Sequence, residues 1–487
     1  MNWRTKMQMG LWVMLLFSGF ACGRYAKVIH VPSADATDIQ NAIRIARDGD
    51  EVIVSPGVYV GQVGFAGFNI NFHSEDPTNP AIVNQTIIKL SPDDLYDTWL
   101  VGFSGTEDST CRLAGFTITG GGSGISGNRT KATIEYNHIY GNNARVPAYP
   151  PGSHALGGGI DSCAGLIQNN IIELNTAEAG GGLIGCEGII QNNIIARNVC
   201  WQTSSQDPSL GSGGGMSICS GTIRNNTIVD NLIHNSTGKT IGGGLAHCYG
   251  AIFNNILWQS DGSLTAGYFD SAPPAYSCIK GWTGGGVGNF NTDPLLANVA
   301  PDTQLDITKA RQNDYHLKPD SPCIDAGVTS GSLTTDFTGL PVRGKVWRTQ
   351  GAHGDGTHND IGAYEFNPGP LSLWVPSEDE PGIAGRGLEV HWAMPATTDP
   401  ATSLTLVLRQ NGQDVASLGV YPLPPGTHDT FESAVISQVP LADFLQAGTN
   451  YTIQGQSTLD AGILAETAPF AILLQNGVSA ARWTQYL

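Results

Sequence analysis

The chain has 487 residues, enough for two or three domains, and a formal net charge of −18, which argues against a nucleic-acid partner because phosphates need a basic face. Charged residues make up only 14% and apolar residues 40%, so general disorder is excluded as well. Gly accounts for 63 residues, roughly twice the usual share, without a Gly-X-Y period; collagen is excluded and a helical bundle is disfavoured, leaving an all-β chain with many tight turns.

The N-terminus carries Arg4 and Lys6, then an apolar run over residues 11–20, then small residues at Gly19 and Ala21. This pattern is a secretory signal, residues 1–21, too short to span a bilayer. Cys22 directly after Ala21 raises the alternative of a bacterial lipid anchor, although the preceding Gly-Phe-Ala lacks the usual Leu. Residues 37–47 predict an amphipathic helix with Ile39, Ala42, Ile43 and Ala46 on one face and a capping box of Thr37 and Gln40. Residues 49–60 then read as turn, strand, turn, strand.

Four segments align without gaps, beginning at Gly157, Gly180, Gly213 and Gly242, and a fainter copy occupies 122–142. Each clear copy opens with three Gly and holds one Cys (Cys163, Cys186, Cys219, Cys248) and an Asn seven residues later (Asn170, Asn193, Asn226, Asn255), with Asn137 in the fainter copy. A second Asn follows five later, at Asn142, Asn175, Asn198 and Asn231. The runs of Ile, Leu, Val and Thr between them are too short for helices. A unit of 23 residues cannot bury its own apolar side, but stacked units can, each strand pairing with its counterpart in the next coil. The expectation is a parallel β-solenoid, with the Asn bonding to one another and to turn backbone, and the Cys filling the core as stacked free thiols. A disulfide between neighbouring coils is the alternative.

After 28–367, Pro368, Pro370, Pro376 and Pro381 mark a linker over 368–381. Six β-rich runs follow in 382–475, predicting a small β-sandwich of fibronectin or immunoglobulin type, with a tail at 476–487.

The start IQNAIRIARDGDEVIVSPGVY resembles that of secreted right-handed parallel β-helix proteins of the pectate-lyase-like superfamily. The segments YSCIKG, NTDPLL, DYHLKPDSPCIDAG and DIGAYE are similar to the closing segment of bacterial right-handed parallel β-helix repeat proteins. The resemblance implies a right-handed parallel β-helix with an N-terminal helical cap, an exported or cell-surface location in a bacterium, and an extracellular polysaccharide as partner. Asp325, Asp336, Asp360 and Glu365 in the closing motifs read as turn and cap residues. His353, Asp355, His358 and Asp360 fall within eight residues; a hydrated turn is preferred there to a metal site.

The ladder Asn are separated by 33, 23, 33 and 29 residues, and the extra length always enters before the next Gly-Gly-Gly. Loops 143–156, 199–212 and 232–241 should therefore project from one side of the stack, with a notch where coil 170–193 has only a short link. Arg145, Tyr149, Trp201, Gln202 and His234 are the expected sugar-binding residues, since aromatic faces with interleaved polar groups suit sugar rings. A lyase would use Arg197, Lys239 or His154 as base and a calcium ion held by Asp161, Glu178 and Glu187. A glycoside hydrolase would need two carboxylates, such as Asp161 and Glu187. A scaffold or adhesion protein that binds glycan without cleaving it is the third reading.

Overall fold

The computed structural model describes residues 25–91, 99–144, 156–202, 213–235, 242–258, 268–299, 313–318, 321–329, 333–339, 359–366, 372–374, 382–384, 388–393, 403–422, 431–436, 448–457, 463–467 and 470–474. Three long sheets, every strand pairing parallel, run through residues 28–279. The first sheet holds Val28–Val31, Glu51–Val54, Asn71–Ser74, Arg112–Ala114, Thr133–Glu135, Leu166–Gln168, Ile189–Gln191, Thr222–Arg224 and Ile252–Phe253. The second runs from Gly57–Val60 through Thr86–Lys89, Thr117–Thr119, His138–Tyr140, Ile171–Glu173, Ile194–Ala196, Thr227–Val229 and Ile256–Trp258 to Cys278–Ile279. The third holds Val63–Gly64, Trp99–Gly102, Ser123–Ser126, Ile160–Asp161, Leu183–Ile184, Met216–Ser217, Leu245–Ala246 and Tyr268–Phe269. Each coil visits the third, first and second sheets in turn, so the tandem segments wind as successive turns of one solenoid.

Register stacks like on like. Ile134, Ile167, Ile190, Ile223 and Ile252 form one column, and Ile139, Ile172, Ile195, Ile228 and Leu257 another. Both are buried in one continuous core. Cys163, Cys186, Cys219 and Cys248 belong to that core, fully buried and free of disulfides. Hydrogen bonding with Cys186 and Cys248, together with burial, pushes the Cys219 thiol well above its ordinary range. These thiols act as small apolar filling, as their repeated phase predicts.

The two Asn columns form as expected. From Asn170 to Asn255, each side-chain oxygen accepts the main-chain N–H and the Nδ2–H of the preceding ladder Asn at 3.0–3.1 Å, and the first oxygen, Asn137 Oδ1, accepts from Phe116 N. The same Nδ2 groups donate to turn carbonyls, as Asn193 does to Ile167 O and Gln191 O. Asn142, Asn175, Asn198 and Asn231 repeat the arrangement at the next turn. Every ladder amide is buried, so these bonds replace water for backbone groups that the tight turns leave unpaired.

Helix α1 (Ile39–Ile45) packs Ile39, Ala42 and Ile43 into the core. Its N-cap is Asp38, whose carboxylate accepts from Asn41 N at 2.8 Å, in place of the expected Thr37–Gln40 box. Gln40 is spent elsewhere: it donates to Gly64 O and accepts from Gly64 N, fastening α1 to the third sheet. A second short helix, α2 (Pro80–Gln85), has no counterpart in the sequence-based expectation; Thr117 Oγ1 donates to Val83 O and holds it over the second sheet.

The first residues of the expected loops lie at one phase of the stack, and most of each loop lies outside the described residues. Val199–Gln202 and Leu232–Asn235, where two of these loops begin, pair in parallel with Thr176–Ala177 of the short link as a fourth sheet, and Asn143, at the start of the first loop, bridges to Thr176.

The closing segment lies against the second sheet, where Tyr315 and Ala363 pack on Ile194, Ala196 and Val229. The acids of the closing motifs take main-chain donors, as a turn-and-cap role requires: Asp360 accepts from Asp325 N and Phe366 N, and Asp336 from Glu365 N and Thr338 N. Burial and the neighbouring carboxylates raise Asp360 to about 8 and Glu365 well above its ordinary value. The folded protein therefore keeps protons that the unfolded one releases near pH 4, so this stabilisation is complete in acid and lost as pH rises through about 8. The melting temperature is expected to fall between about pH 5 and about pH 9, and Asp360→Asn to flatten that slope. A melting temperature that climbs over the same range would contradict the assignment.

Beyond residue 371, Ser372–Trp374, Leu388–Ala393 and Phe431–Ile436 form an antiparallel sheet. A larger sheet orders Gly382–Ala384, Phe470–Leu474, Gly448–Ser457, Ser403–Gln410 and Gln413–Pro422, with Ile463–Glu466 paired to Gly448–Ser457. Asn411 and Gly412, both with positive φ, turn the hairpin between Ser403–Gln410 and Gln413–Pro422. All six β-rich runs of this region contain strands. Among the described residues, no helix is long and apolar enough to cross a membrane.

Candidate functional site

The outward positions of the third sheet form one register column: Gly64, Gly102, Ser126, Asp161, Ile184, Ser217 and Ala246. Ile184, Ser217 and Ala246 are buried, whereas Ser126 and Asp161 are half-exposed. Small residues at 64, 102 and 126 keep the floor low. The result is a groove of about 700 Å³ along the N-terminal coils, lined by Gln40, Trp99, Ser104, Asn128, Arg129 and Asp161 among others.

Each wall has a local cause. The Trp99 indole lies against the Gly102 backbone so closely that a Cβ there would come within 2.7 Å of the ring. Ser104 and its turn are organised by Glu107, which accepts from Ser104 N, Ser104 Oγ, Gly105 N and Gly67 N. Burial alone would raise the Glu107 carboxyl, but these donors hold it below its ordinary value. Asn128 Nδ2 donates to Ser104 O at 2.7 Å, tying the rims of adjacent coils together. Arg129 N donates to Ser162 O, and its guanidinium reaches Glu187 two coils away at 2.5 Å. This ion pair is largely exposed and contributes little to stability, but it holds a cation at the edge of the groove. Asp161 accepts from Ser162 Oγ at 2.7 Å; burial raises its carboxyl above the usual range despite that bond.

The groove thus combines an aromatic face, a carboxyl displaced toward its neutral form, a guanidinium and several hydroxyl and amide groups. Such a set offers a ligand an apolar ring face, hydrogen-bonding groups and a titratable carboxyl.

The sequence-predicted residues are dispersed. Asp161 lines the groove, and Glu187 touches it through Arg129. Glu178 lies at the opposite turn, where its carbonyl accepts from Cys200 Sγ. Among the described residues no three His, Cys, Asp or Glu side chains are placed to hold a metal ion, so Asp161, Glu178 and Glu187 do not assemble the expected calcium site. Arg197 is 2% exposed and packs near Tyr315 beneath the closing segment, which corrects its reading as a base facing substrate. Buried, it has no route to a polymer. Trp201 and His234 do meet, ring centroids 3.6 Å apart on the fourth sheet. Gln202 pairs there with Asn235 through the backbone, and its side chain lies outside the described residues. Arg145, Tyr149, His154 and Lys239, and with them most of the loops flanking the notch, also lie outside the described residues, as do His353, Asp355 and His358.

Sequence reasoning missed Trp99, Arg129 and Gln40. Arg129 sits in the fainter repeat copy, where the repeat phase would have shown it one coil away from Asp161. Trp99 belongs to a coil with no recognisable copy, so no sequence signal led to it.

No family model matches the chain, and neither the search of curated proteins nor that of solved structures found a significant match.

Proposed function

We propose that this chain is an exported right-handed parallel β-helix protein of the pectate-lyase-like kind, and that it binds an extracellular polysaccharide along the outer face of its third sheet. The observation that carries this reading is the pairing of the Trp99 face with Asp161 and Arg129 in one open groove. A linear glycan stacks a ring CH face on the indole, and its hydroxyls meet Ser104, Asn128 and Asp161. In the same reading, residues 1–21 direct export, α1 caps the solenoid, and 382–475 fold as a β-sandwich that tethers or spaces the binding domain at a bacterial surface.

Arg129 favours uronate-containing glycans, because a guanidinium with donors beyond the one given to Glu187 suits a carboxylate. Lyase-type cleavage is the second reading. It rests on the same cation, which would stabilise the charge developing on a uronate, with calcium as the supplement to test. A hydrolase reading is weaker, since Glu187, the expected second carboxylate, is engaged by Arg129.

The test is retention on a panel of uronate-containing and neutral polysaccharides, with and without calcium, while unsaturated products and reducing ends are followed. Trp99→Ala is expected to weaken retention of the bound glycan at least tenfold, about 1.4 kcal/mol. Asp161→Asn should abolish any turnover while preserving retention. Undiminished retention by the Trp99 variant would remove the groove from consideration.

A further inference from the structure

The outer face of the second sheet is covered at both ends and open between them. On one side α2 lies over Thr117; on the other the closing segment covers Ile194, Ala196 and Val229. Between the two covers is a cleft of about 520 Å³ with Pro77, Pro80 and Val83 on one wall, Phe337 on the other, and His138 and Ile171 in the floor. His138 is fixed there by Glu173, Nε2 to Oε1 at 2.8 Å, both side chains buried.

One register column explains what this cleft recognises. At the turn between the first and second sheets, Asn169, Asn192, Asn225 and Asn254 all adopt positive φ, which points their carboxamides away from the core turn by turn. Three of the four hold the protein's own closing segment by its backbone. Asn192 Nδ2 donates to Thr335 O at 2.7 Å and Asn225 Nδ2 to Asp360 O at 3.4 Å. Asn254 grips one residue at two points, donating to Val328 O at 2.7 Å and accepting from Val328 N at 2.9 Å. Asn169 is the first Asn of the column, following Tyr136 at the same phase. It lines the cleft, is 3% exposed, and has no partner for its side-chain oxygen, a property shared by Asn192 Oδ1, but unlike the other three Asn169 bonds no residue of the closing segment. A buried amide left unmatched is costly, about 1–3 kcal/mol, and here it continues a peptide-holding interface by one coil.

We propose that the cleft between α2 and Phe337 binds an extended peptide segment, whose backbone carbonyl and amide groups are held by the Asn169 carboxamide as Val328 is held by Asn254. An apolar side group of that peptide fills the space among Val83, Ile171 and Phe337. The ligand is uncharged at this point, because His138 and Glu173 already satisfy each other. This site is separate from the glycan groove and does not depend on it.

The probe is the blocked tripeptide acetyl-Ala-Leu-Ala-amide, titrated into the full-length protein by calorimetry and ligand-observed NMR, with cellobiose and 4-methylpentanoate as controls. Saturable binding of the tripeptide is expected, weakened at least tenfold by Asn169→Gly, which keeps the positive φ while removing the amide. Asn84→Trp, an exposed position on α2 at the cleft, is expected to abolish binding without altering the fold, as thermal unfolding would verify. The proposal is overturned by the absence of saturable tripeptide binding up to about 10 mM, roughly 2.7 kcal/mol. It is equally overturned by binding that neither variant changes, or by cellobiose or 4-methylpentanoate binding as tightly as the tripeptide.

Discussion

Replacing Asn193 with Ala is expected to destabilise the solenoid by about 3–6 kcal/mol, among the largest losses for any single residue of this size. Asn193 Oδ1 accepts from Asn170 N and Nδ2, while its own Nδ2 serves Ile167 O, Gln191 O and Asn226 Oδ1. Truncation leaves buried main-chain donors and acceptors unpaired at two successive turns, each at a cost of about 1–3 kcal/mol, and a water has no route to a fully buried site. Asn193→Asp is the sharper control: it keeps the accepting oxygen but puts a second acceptor where the donating NH2 stood, facing Ile167 O, Gln191 O and Asn226 Oδ1, so it should be no better tolerated than Ala. Thermal and denaturant unfolding measure the loss, and hydrogen exchange should show it concentrated in the coils on either side, because each repeat contacts only its neighbours. A loss below about 1 kcal/mol for both variants would mean that the ladder is decorative.

Gly221→Ala should be more damaging still, preventing the protein from accumulating in folded form. Gly165, Gly188, Gly221 and Gly250 stack at the turn between the third and first sheets, and a Cβ on Gly221 would sit 1.7 Å from Gly188 O. The clash is with backbone, so no rotamer relieves it, and coils about 4.8 Å apart cannot separate locally without breaking three sheets at once. The constraint is close approach rather than backbone conformation, as these glycines lack positive φ. Expression yield and circular dichroism of the variant against the parent protein provide the measurement. Ser220→Ala, one residue earlier and exposed, should be neutral. A folded Gly221→Ala protein with unchanged melting temperature would contradict the stacked register.

How far the sequence could be read followed the repeat. Wherever a motif recurs, its phase predicts its structure: Cys163 through Cys248 share the core, and Asn137 through Asn255 bond in a line. Periodicity carries that information because a solenoid converts equal phase into physical adjacency. The capping box at Thr37 and Gln40 went wrong for a different reason. Asp38 offers a carboxylate one residue nearer the helix, and Gln40 finds a better use in the backbone of Gly64, a partner 24 residues away.

The candidate site shows the same division. Asp161 was legible because it occupies a repeat copy, whereas Arg197 looked equally promising and is buried, since the closing segment folds back over its turn. Nothing in the local sequence around Arg197 announces a cover supplied from more than a hundred residues later.

By itself, then, the amino-acid order determined the solenoid, its ladders, its filled core and the β-rich character of the C-terminal region, because those properties depend on short-range pattern repeated at a fixed interval. Only the tertiary structure decided which faces stay open. It placed Trp99, Arg129 and Asp161 in one groove and laid the closing segment on Asn192, Asn225 and Asn254 but not on Asn169. Exposure is a relation between a coil and whatever later segments lay upon it, and that relation has no period to read.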